Sequence, residues 1–285
     1  LAEASDRPEL FIGVHFFSPV DRMGLVEVIR GKQTNDHALA VAIDYVQKIK
    51  KTPIVVNDSR GFYTSRCFGT YTREGMAMLA EGIHPAMIEN VGRMSGMPMG
   101  SLEVVDSVGI DTALKVTQQT RKDMGINSPD ASLDFLSWVV EKNGRLGRKN
   151  GKGFYDYDDK GKRLRIWPEL LAYNGGKWKT DASVDEMKHR FLTIQALEAA
   201  RCFEEGVITD PRDADVGAIL GWGFAPFTGG PVSYIDTMGA KAFVAQCEDY
   251  AKRFGDRFTP NKLLREMAEK GQTFYSRFAP VKQAA

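Results

Sequence analysis

Three short apolar runs crowded into the first 57 residues constrain this chain more than any other feature: Leu10 to Phe17 (LFIGVHFF), Leu25 to Ile29 (LVEVI) and Pro53 to Val56 (PIVV). Their length and their Val, Ile and Phe content suit buried strands. Between the second and third, Leu39, Val41, Ala42, Tyr45, Val46 and Ile49 recur at helical spacing over His37 to Lys50, and Asp36 stands where an N-cap belongs. Strand, strand, helix, strand reads as the tail of an α/β sheet. A complete doubly wound domain takes roughly twice as much chain. The sequence also opens on Leu1 and a short polar stretch rather than on Met. The expectation is therefore a fragment or a processed chain, with the front half of the α/β domain lying before Leu1.

From about residue 58 helical periods dominate: Gly61 to Gly82, Pro85 to Ser95, Ser101 to Asp123 and Ser132 to Asn143. Asn150 to Tyr157 (NGKGFYDY) is a Gly-rich turn into an aromatic, strand-like piece, and residues 158–180 read as a connector. A second helical set follows at Val184 to Glu205, Asp213 to Leu220, Pro231 to Tyr250 and Asn261 to Lys270. The two sets resemble each other. Glu81-Gly82-Ile83 matches Glu205-Gly206-Val207, and Gly100, Asp106 and Gly109 match Gly230, Asp236 and Gly239. The copies lie about 125–130 residues apart, too far for a solenoid, so the pattern reads as duplication of a whole helical domain. A chain of 285 residues has room for roughly two domains of about 100–200 residues.

Composition excludes more than it selects. With 43% hydrophobic and 26% charged residues the chain can build a core. A net charge of +1 gives no field pointing to nucleic acid or a membrane surface. Cys67, Cys202 and Cys247 are scattered, with no CxxC or Cys/His zinc spacing, which favours reduced thiols in a cytoplasmic setting over a disulfide framework or a metal site. No apolar run is long enough to span a bilayer, and no signal-peptide pattern opens the chain. The pairs Gly151-Lys152-Gly153 and Gly221-Trp222-Gly223 lack the third glycine and the strand-before, helix-after setting of a dinucleotide fingerprint. No GxGxxG, GxSxG, HExxH or P-loop occurs.

The chemistry gathers around His15. It lies near the end of a strand-like run, where Pro19 forces the chain to turn, and ligands of open α/β sheets sit at the carboxyl ends of strands. An imidazole there can serve as a general base near neutral pH; a structural histidine is the alternative. Glu27 stands inside LVEVI with apolar residues on both sides, and a carboxylate in a buried strand demands partners. The two runs are consecutive and joined by a short loop, so Glu27 can reach one ring nitrogen of His15, fix its tautomer and favour its cationic form. The alternative is that Glu27 lies on a solvent-facing edge strand. In Gly61-Phe62-Tyr63-Thr64-Ser65-Arg66, Gly61 permits a tight lead into the first long helix, and Ser65 faces back toward the sheet to bond a ligand or the backbone. Arg145, Arg148, Lys149 and Lys152 could meet phosphates or form a solvated loop. Trp222, Phe224, Phe227 and Tyr234 read as core or interface.

The segment HFFSPVDRMGLVEVIRG resembles the active-site segment of L-3-hydroxyacyl-CoA dehydrogenases, with His15 and Glu27 at the family's spacing. DSRGFYTSR looks like the start of the family's C-terminal domain; MGSLEVVDSVGIDTALKV and GRKNGKGFYDYD continue and close it. Residues 184 to about 279, with GWGFAPFTGGPVSYID, are similar to the second C-terminal domain of multifunctional fatty-acid oxidation α subunits. The resemblance implies the C-terminal part of a Rossmann-type NAD-binding domain at 1–57, a first helical domain at 58–158 and a duplicated one at 180–285. It implies that His15 takes the proton of a 3-hydroxyl while NAD takes the hydride, and that Glu27 holds His15. Where this chain has Ser65 against the substrate and Ser18 near the nicotinamide, the family usually has Asn, so the reach at both positions is shorter. Most of the NAD site would precede residue 1, so the chain alone is expected to bind NAD poorly and turn over little. The resemblance further implies an acyl-CoA substrate, fatty-acid β-oxidation, a thiolase β subunit as partner and a homo-oligomer. Two other readings stay open: a short-chain 3-hydroxybutyryl-CoA dehydrogenase, and a non-catalytic helical assembly module.

Overall fold

In the computed structural model, residues 1–123, 125–127, 130–173 and 175–278 are described. The chain runs through β1 (Ile12–Phe16), β2 (Leu25–Arg30), α1 (Asp36–Lys48) and β3 (Thr52–Asn57). Helices α2 (Thr64–Ala80), α3 (Pro85–Met94), α4 (Ser101–Val108), α5 (Ile110–Asp123) and α6 (Ala131–Ser137) follow, the last continuing into a π-helical turn at Trp138–Lys142. A hairpin of β4 (Tyr155–Tyr157) and β5 (Arg163–Ile166) leads to α7 (Pro168–Ala172). The rest is α8 (Val184–Glu204), α9 (Pro211–Trp222), α10 (Pro231–Met238), α11 (Ala240–Phe254), α12 (Lys262–Lys270) and α13 (Phe274–Arg277). Two compact units emerge: Leu1–Thr70 with Leu192–Ala285, and Tyr71–Phe191. Of the helical domains expected at 58–158 and 180–285, residues 124, 128, 129 and 279–285 lie outside the described residues.

In the first unit β2 is the central strand, with β1 antiparallel on one side and β3 parallel on the other. Leu25 to Ile29 are all buried, because both faces of β2 are covered. On one face Val26 and Val28 pack with Ala42 and Val46 of α1, whose N-terminus is capped by the Asn35 side chain accepting from Ala38 N at 2.8 Å. On the other face lies α9, which approaches closely because it carries glycines. A Cβ on Gly217 would fall 2.7 Å from Ile54 Cδ1, and one on Gly221 would fall 2.8 Å from Leu25 Cδ2. The free edge of β3 is closed by Asp213, whose carboxylate accepts from Val55 N at 3.0 Å, and by Val207 O, which accepts from Asn57 N at 2.8 Å. The second helical set therefore shares a core with the strands, an association at long sequence separation that local periodicity does not announce. β1 is only half-buried along its length, and its antiparallel course sets its carboxyl end beside the amino ends of β2 and β3.

The second unit is built on carboxylates that cap backbone. Glu89 of α3 accepts from Leu102 N at 2.6 Å at the start of α4 and from the Tyr155 hydroxyl at 2.9 Å. Asp106 of α4 accepts from Phe154 N, Tyr155 N and the Tyr157 hydroxyl at 2.8, 3.0 and 2.8 Å. The single helix expected over Ser101 to Asp123 is two, because Gly109 has φ 108°, which stops the α-helix there. The span from Pro231 to Tyr250 divides in the same way at Gly239, φ 84°. The connector expected at 158–180 contains β5 and α7. β5 is almost wholly exposed and is held by its pairing to β4 and by Arg165 bonding Asp156 at 3.1 Å.

Candidate active site

Antiparallel pairing places His15 directly opposite Glu27. Opposed residues of an antiparallel pair share a face with their Cβ atoms about 4.5–5.5 Å apart, so the register alone brings imidazole to carboxylate. His15 Nδ1 and Glu27 Oε2 are 2.8 Å apart. Glu27 is 0% exposed and sits on the central strand, not on an edge. A carboxylate taken so far from water needs donors on every side, and it has them. Tyr63 N and Thr64 N donate to Oε1 at 3.0 and 3.1 Å, and the Thr64 hydroxyl donates to Oε2 at 2.8 Å. These are the first free N–H groups of α2, so Glu27 also caps that helix at the end where the peptide dipoles favour negative charge.

The chain reaches this arrangement through two consecutive left-handed residues, Gly61 at φ 77° and Phe62 at φ 49°. For Phe62 that conformation is strained by roughly 1–3 kcal/mol, and it is held where the carboxylate collects the next two N–H groups. It also decides which residue of α2 meets the sheet. Sequence reasoning put Ser65 there; the structure puts Thr64 there, 1% exposed, and leaves Ser65 exposed. Thr64 was missed, although a buried Glu27 called for donors and Thr64 is the first hydroxyl of the following helix.

Because an ionised carboxylate only accepts, the ring proton of neutral His15 lies on Nδ1. Nε2 is then a free lone pair with no protein partner among the described residues. The side chain is 33% exposed. Phe17 and Phe62 stand against the ring at centroid distances of 4.6 and 5.9 Å, so the imidazole has an apolar frame and one open nitrogen. Ser18 is exposed in the loop that leaves β1 at the same end. Lys51 braces that loop, donating to Val20 O and Met23 O at 2.7 and 2.6 Å.

The other candidates divide clearly. Arg145 is a structural residue, its guanidinium buried against Gly153 O, Tyr155 O and Asp156, and Lys149 pairs with Asp111. Arg148 and Lys152 make no ion pair among the described residues. Trp222 and Phe224 are core, Tyr234 is half-buried and Phe227 is exposed. The three cysteines are free and buried. Among the described residues no cluster of three His, Cys, Asp or Glu could hold a metal, and no helix is long and apolar enough to cross a membrane.

A dinucleotide needs a glycine-rich turn at a helix N-terminus. The turn from β2 into α1 instead carries Asp36 in the first helical turn, which opposes a pyrophosphate. The residues at this turn thus do not fit the phosphates of a dinucleotide.

Comparison with known proteins identifies the family. Residues 1–59 match the family model for the 3-hydroxyacyl-CoA dehydrogenase NAD binding domain, and residues 61–157 match that for the C-terminal domain of the same family. The fatty acid oxidation complex subunit alpha of Shewanella halifaxensis is 41% identical over 278 residues, covering 97% of this chain and 39% of that protein. The chain thus spans about two fifths of the length of that relative. Among solved structures, the dehydrogenase part of multifunctional enzyme 1 from C. elegans is similar, with TM-score 0.67 and 25% identity over 93% of this chain and 61% of that one. The 3-hydroxybutyryl-CoA dehydrogenase from Escherichia coli K12 shares the fold, with TM-score 0.74 and 21% identity over 95% of this chain and 72% of that one. The chain is helix-rich, joins part of a Rossmann-like NAD-binding domain to a C-terminal helical domain, and belongs through residues 1–59 and 61–157 to the 3-hydroxyacyl-CoA dehydrogenase family.

Proposed function

We propose that this chain forms the catalytic edge and the helical part of an NAD-dependent L-3-hydroxyacyl-CoA dehydrogenase that acts in fatty-acid β-oxidation within a longer protein. The observation that carries the reading is the 2.8 Å contact of His15 Nδ1 with a fully buried Glu27, which leaves Nε2 open. Nε2 takes the proton of the substrate's 3-hydroxyl as carbon 3 becomes a ketone and the product a 3-ketoacyl-CoA. Glu27 faces the positive charge this places on the ring, and its four donors hold it in place. NAD, when bound, supplies the acceptor for the hydride that leaves carbon 3. Ser65, next to Thr64 and exposed, contacts the substrate; Ser18 contacts the nicotinamide end. Because the sequence has no glycine fingerprint, the isolated chain binds NAD weakly.

The proposal extends to the architecture: Rossmann-type residues 1–57, a first helical domain at 58–158 and a duplicate at 180–285. Matched constellations support the duplication. Asp236 accepts from Phe274 N and Tyr275 N at 2.8 and 3.2 Å, as Asp106 does from Phe154 N and Tyr155 N. Asp215 accepts from Val232 N and the Tyr275 hydroxyl, both at 3.0 Å, as Glu89 does from Leu102 N and the Tyr155 hydroxyl. The Shewanella relative is named as the α subunit of a complex, which supports assembly of the longer protein with a further subunit; the family resemblance makes that subunit a thiolase β subunit and the setting cytoplasmic. The test is NADH formation from L-3-hydroxyacyl-CoA esters of increasing chain length by the longer protein, wild type against Glu27→Gln. A loss of about 10²-fold or more in kcat in the variant supports the reading. Wild-type protein inert toward every chain length would overturn it in favour of a helical assembly module.

A further inference from the structure

Thr64 grips both oxygens of Glu27: its N–H donates to Oε1 at 3.1 Å and its hydroxyl to Oε2 at 2.8 Å. A carboxylate offers about four lone-pair sites, and here all four are filled, two on each oxygen. The Oε1 side is held by backbone alone. The Oε2 side carries the reacting histidine and one other donor, the Thr64 hydroxyl. We infer that Thr64 is a positioning residue for the dyad: its hydroxyl fixes the carboxylate oxygen that receives the His15 ring proton, and so keeps Nε2 as the unprotonated, open nitrogen. The inference rests on the dehydrogenase reading for its kinetic readout and is independent of that reading for its spectroscopic one.

The last torsion of a glutamate is a broad sp³–sp² rotor. Backbone N–H groups on Oε1 alone would leave Oε2 free to swing out of the line to His15. A second donor on Oε2 removes that freedom. The donor is itself rigid, because Thr is β-branched, sits at the first position of α2 and is 1% exposed. The hydroxyl thus does work that helix capping does not require, since Tyr63 N and Thr64 N are satisfied by Oε1.

The chain has four histidines, His15, His37, His84 and His189, so the imidazole nitrogens of a [15N]histidine-labelled sample can be resolved and the tautomer of each neutral ring read from their shifts. In the wild type and in Thr64→Ser, His15 is expected as the Nδ1–H form with a slowly exchanging ring proton. In Thr64→Val, which keeps size and backbone grip but loses the hydroxyl, a mixture of tautomers and faster exchange are expected. In the longer protein, Thr64→Val should lower kcat about 10-fold with KM changed less than about twofold, and Thr64→Ser should restore kcat to within about threefold. Thr64→Ala, which cannot overpack the site, serves if the valine variant does not fold. An unchanged Nδ1–H signal in the hydroxyl-less variants would overturn the inference and reduce Thr64 to a helix cap. A changed signal in a protein whose wild type is inert toward acyl-CoA esters would uphold the positioning role while sinking the dehydrogenase reading.

Discussion

Arg66 in the first unit forks across Glu198 and Glu205, and Arg190 in the second forks across Glu74 and Glu81, with the same atoms engaged in each. Nε and Nη2 meet Glu198 Oε1 at 2.9 and 2.7 Å in one case and Glu74 Oε1 at 2.8 and 2.5 Å in the other. Nη1 and Nη2 meet Glu205 at 2.5 and 3.0 Å, and Glu81 at 2.7 and 2.8 Å. The three residues are offset by the same 124 positions (66 to 190, 74 to 198, 81 to 205). What differs is the surroundings. Arg190 and Glu74 are 2% and 0% exposed, whereas Arg66 and Glu198 are 16% and 12% exposed and Glu205 is 50% exposed. The segments after the two Asp caps differ as well: β4 follows in one unit and the short helix α13 in the other. The caps persist because they need only two backbone N–H groups at the right place, and either a strand or a helix start can present them.

If the two clamps are copies in different solvent, their loss should differ in size. Arg190→Met removes both hydrogen bonds that the buried Glu74 carboxylate receives from the guanidinium and should destabilise the second unit by about 3–5 kcal/mol. Arg66→Met should cost the first unit about 1–2 kcal/mol, since water reaches its partners. Hydrogen exchange resolved by peptide reads the two units separately, and equal losses would break the comparison. Next, Asp106→Ala strands Phe154 N, Tyr155 N and the Tyr157 hydroxyl and should cost about 3 kcal/mol. Asp236→Ala strands two backbone donors and should cost about 2 kcal/mol.

A comparable gap separates the glycines that face Asp215 and Glu89. A Cβ on Gly230 would lie 2.3 Å from Asp215 Oδ1 at φ 122°, and one on Gly100 would lie 2.5 Å from the Glu89 carboxylate at φ −67°. Gly230→Ala combines overpacking with a conformation alanine rarely adopts and should cost about 2–3 kcal/mol. Gly100→Ala meets only the end of a longer side chain and should cost about 1–2 kcal/mol, both measured by urea denaturation. A separate effect is on pH. Burial pushes the Asp106 carboxyl up to about 7, against the opposing pull of its three hydrogen bonds. A carboxyl raised on folding binds its proton more tightly in the folded state. Its contribution is therefore intact below about pH 4 and is lost as pH rises toward about 7. The second unit should weaken over that window by at most about 1.4 kcal/mol per pH unit, and Asp106→Asn should flatten the slope.

The sequence showed the dyad because the signal was local. A carboxylate alone in LVEVI and a histidine on the preceding strand, joined by a short loop, could meet, and the antiparallel pairing sets them opposite each other. Helix breaks at Gly109 and Gly239 were within reach too, since both glycines had been singled out as matching positions. Thr64 was legible only as one candidate donor, because which residue of α2 faces Glu27 depends on the left-handed turn at Phe62, a conformation phenylalanine does not advertise. β5 escaped because Arg163-Leu164-Arg165 has no buried face and exists by pairing to Tyr155–Tyr157 and by the stacking of Arg163 on Tyr155. The sharing of one core by the strands and α9 escaped because it depends on Gly217 and Gly221 meeting Ile54 and Leu25, contacts that join residues far apart in the chain.

The most direct test of the catalytic assignment compares the longer protein with its His15→Ala variant, following NADH formation from NAD and L-3-hydroxybutyryl-CoA or a longer ester. The account expects kcat to fall by about 10²-fold or more with the fold intact, the scale of a lost general base. Equal activity in the two proteins would contradict it and make His15 a structural histidine with the base elsewhere.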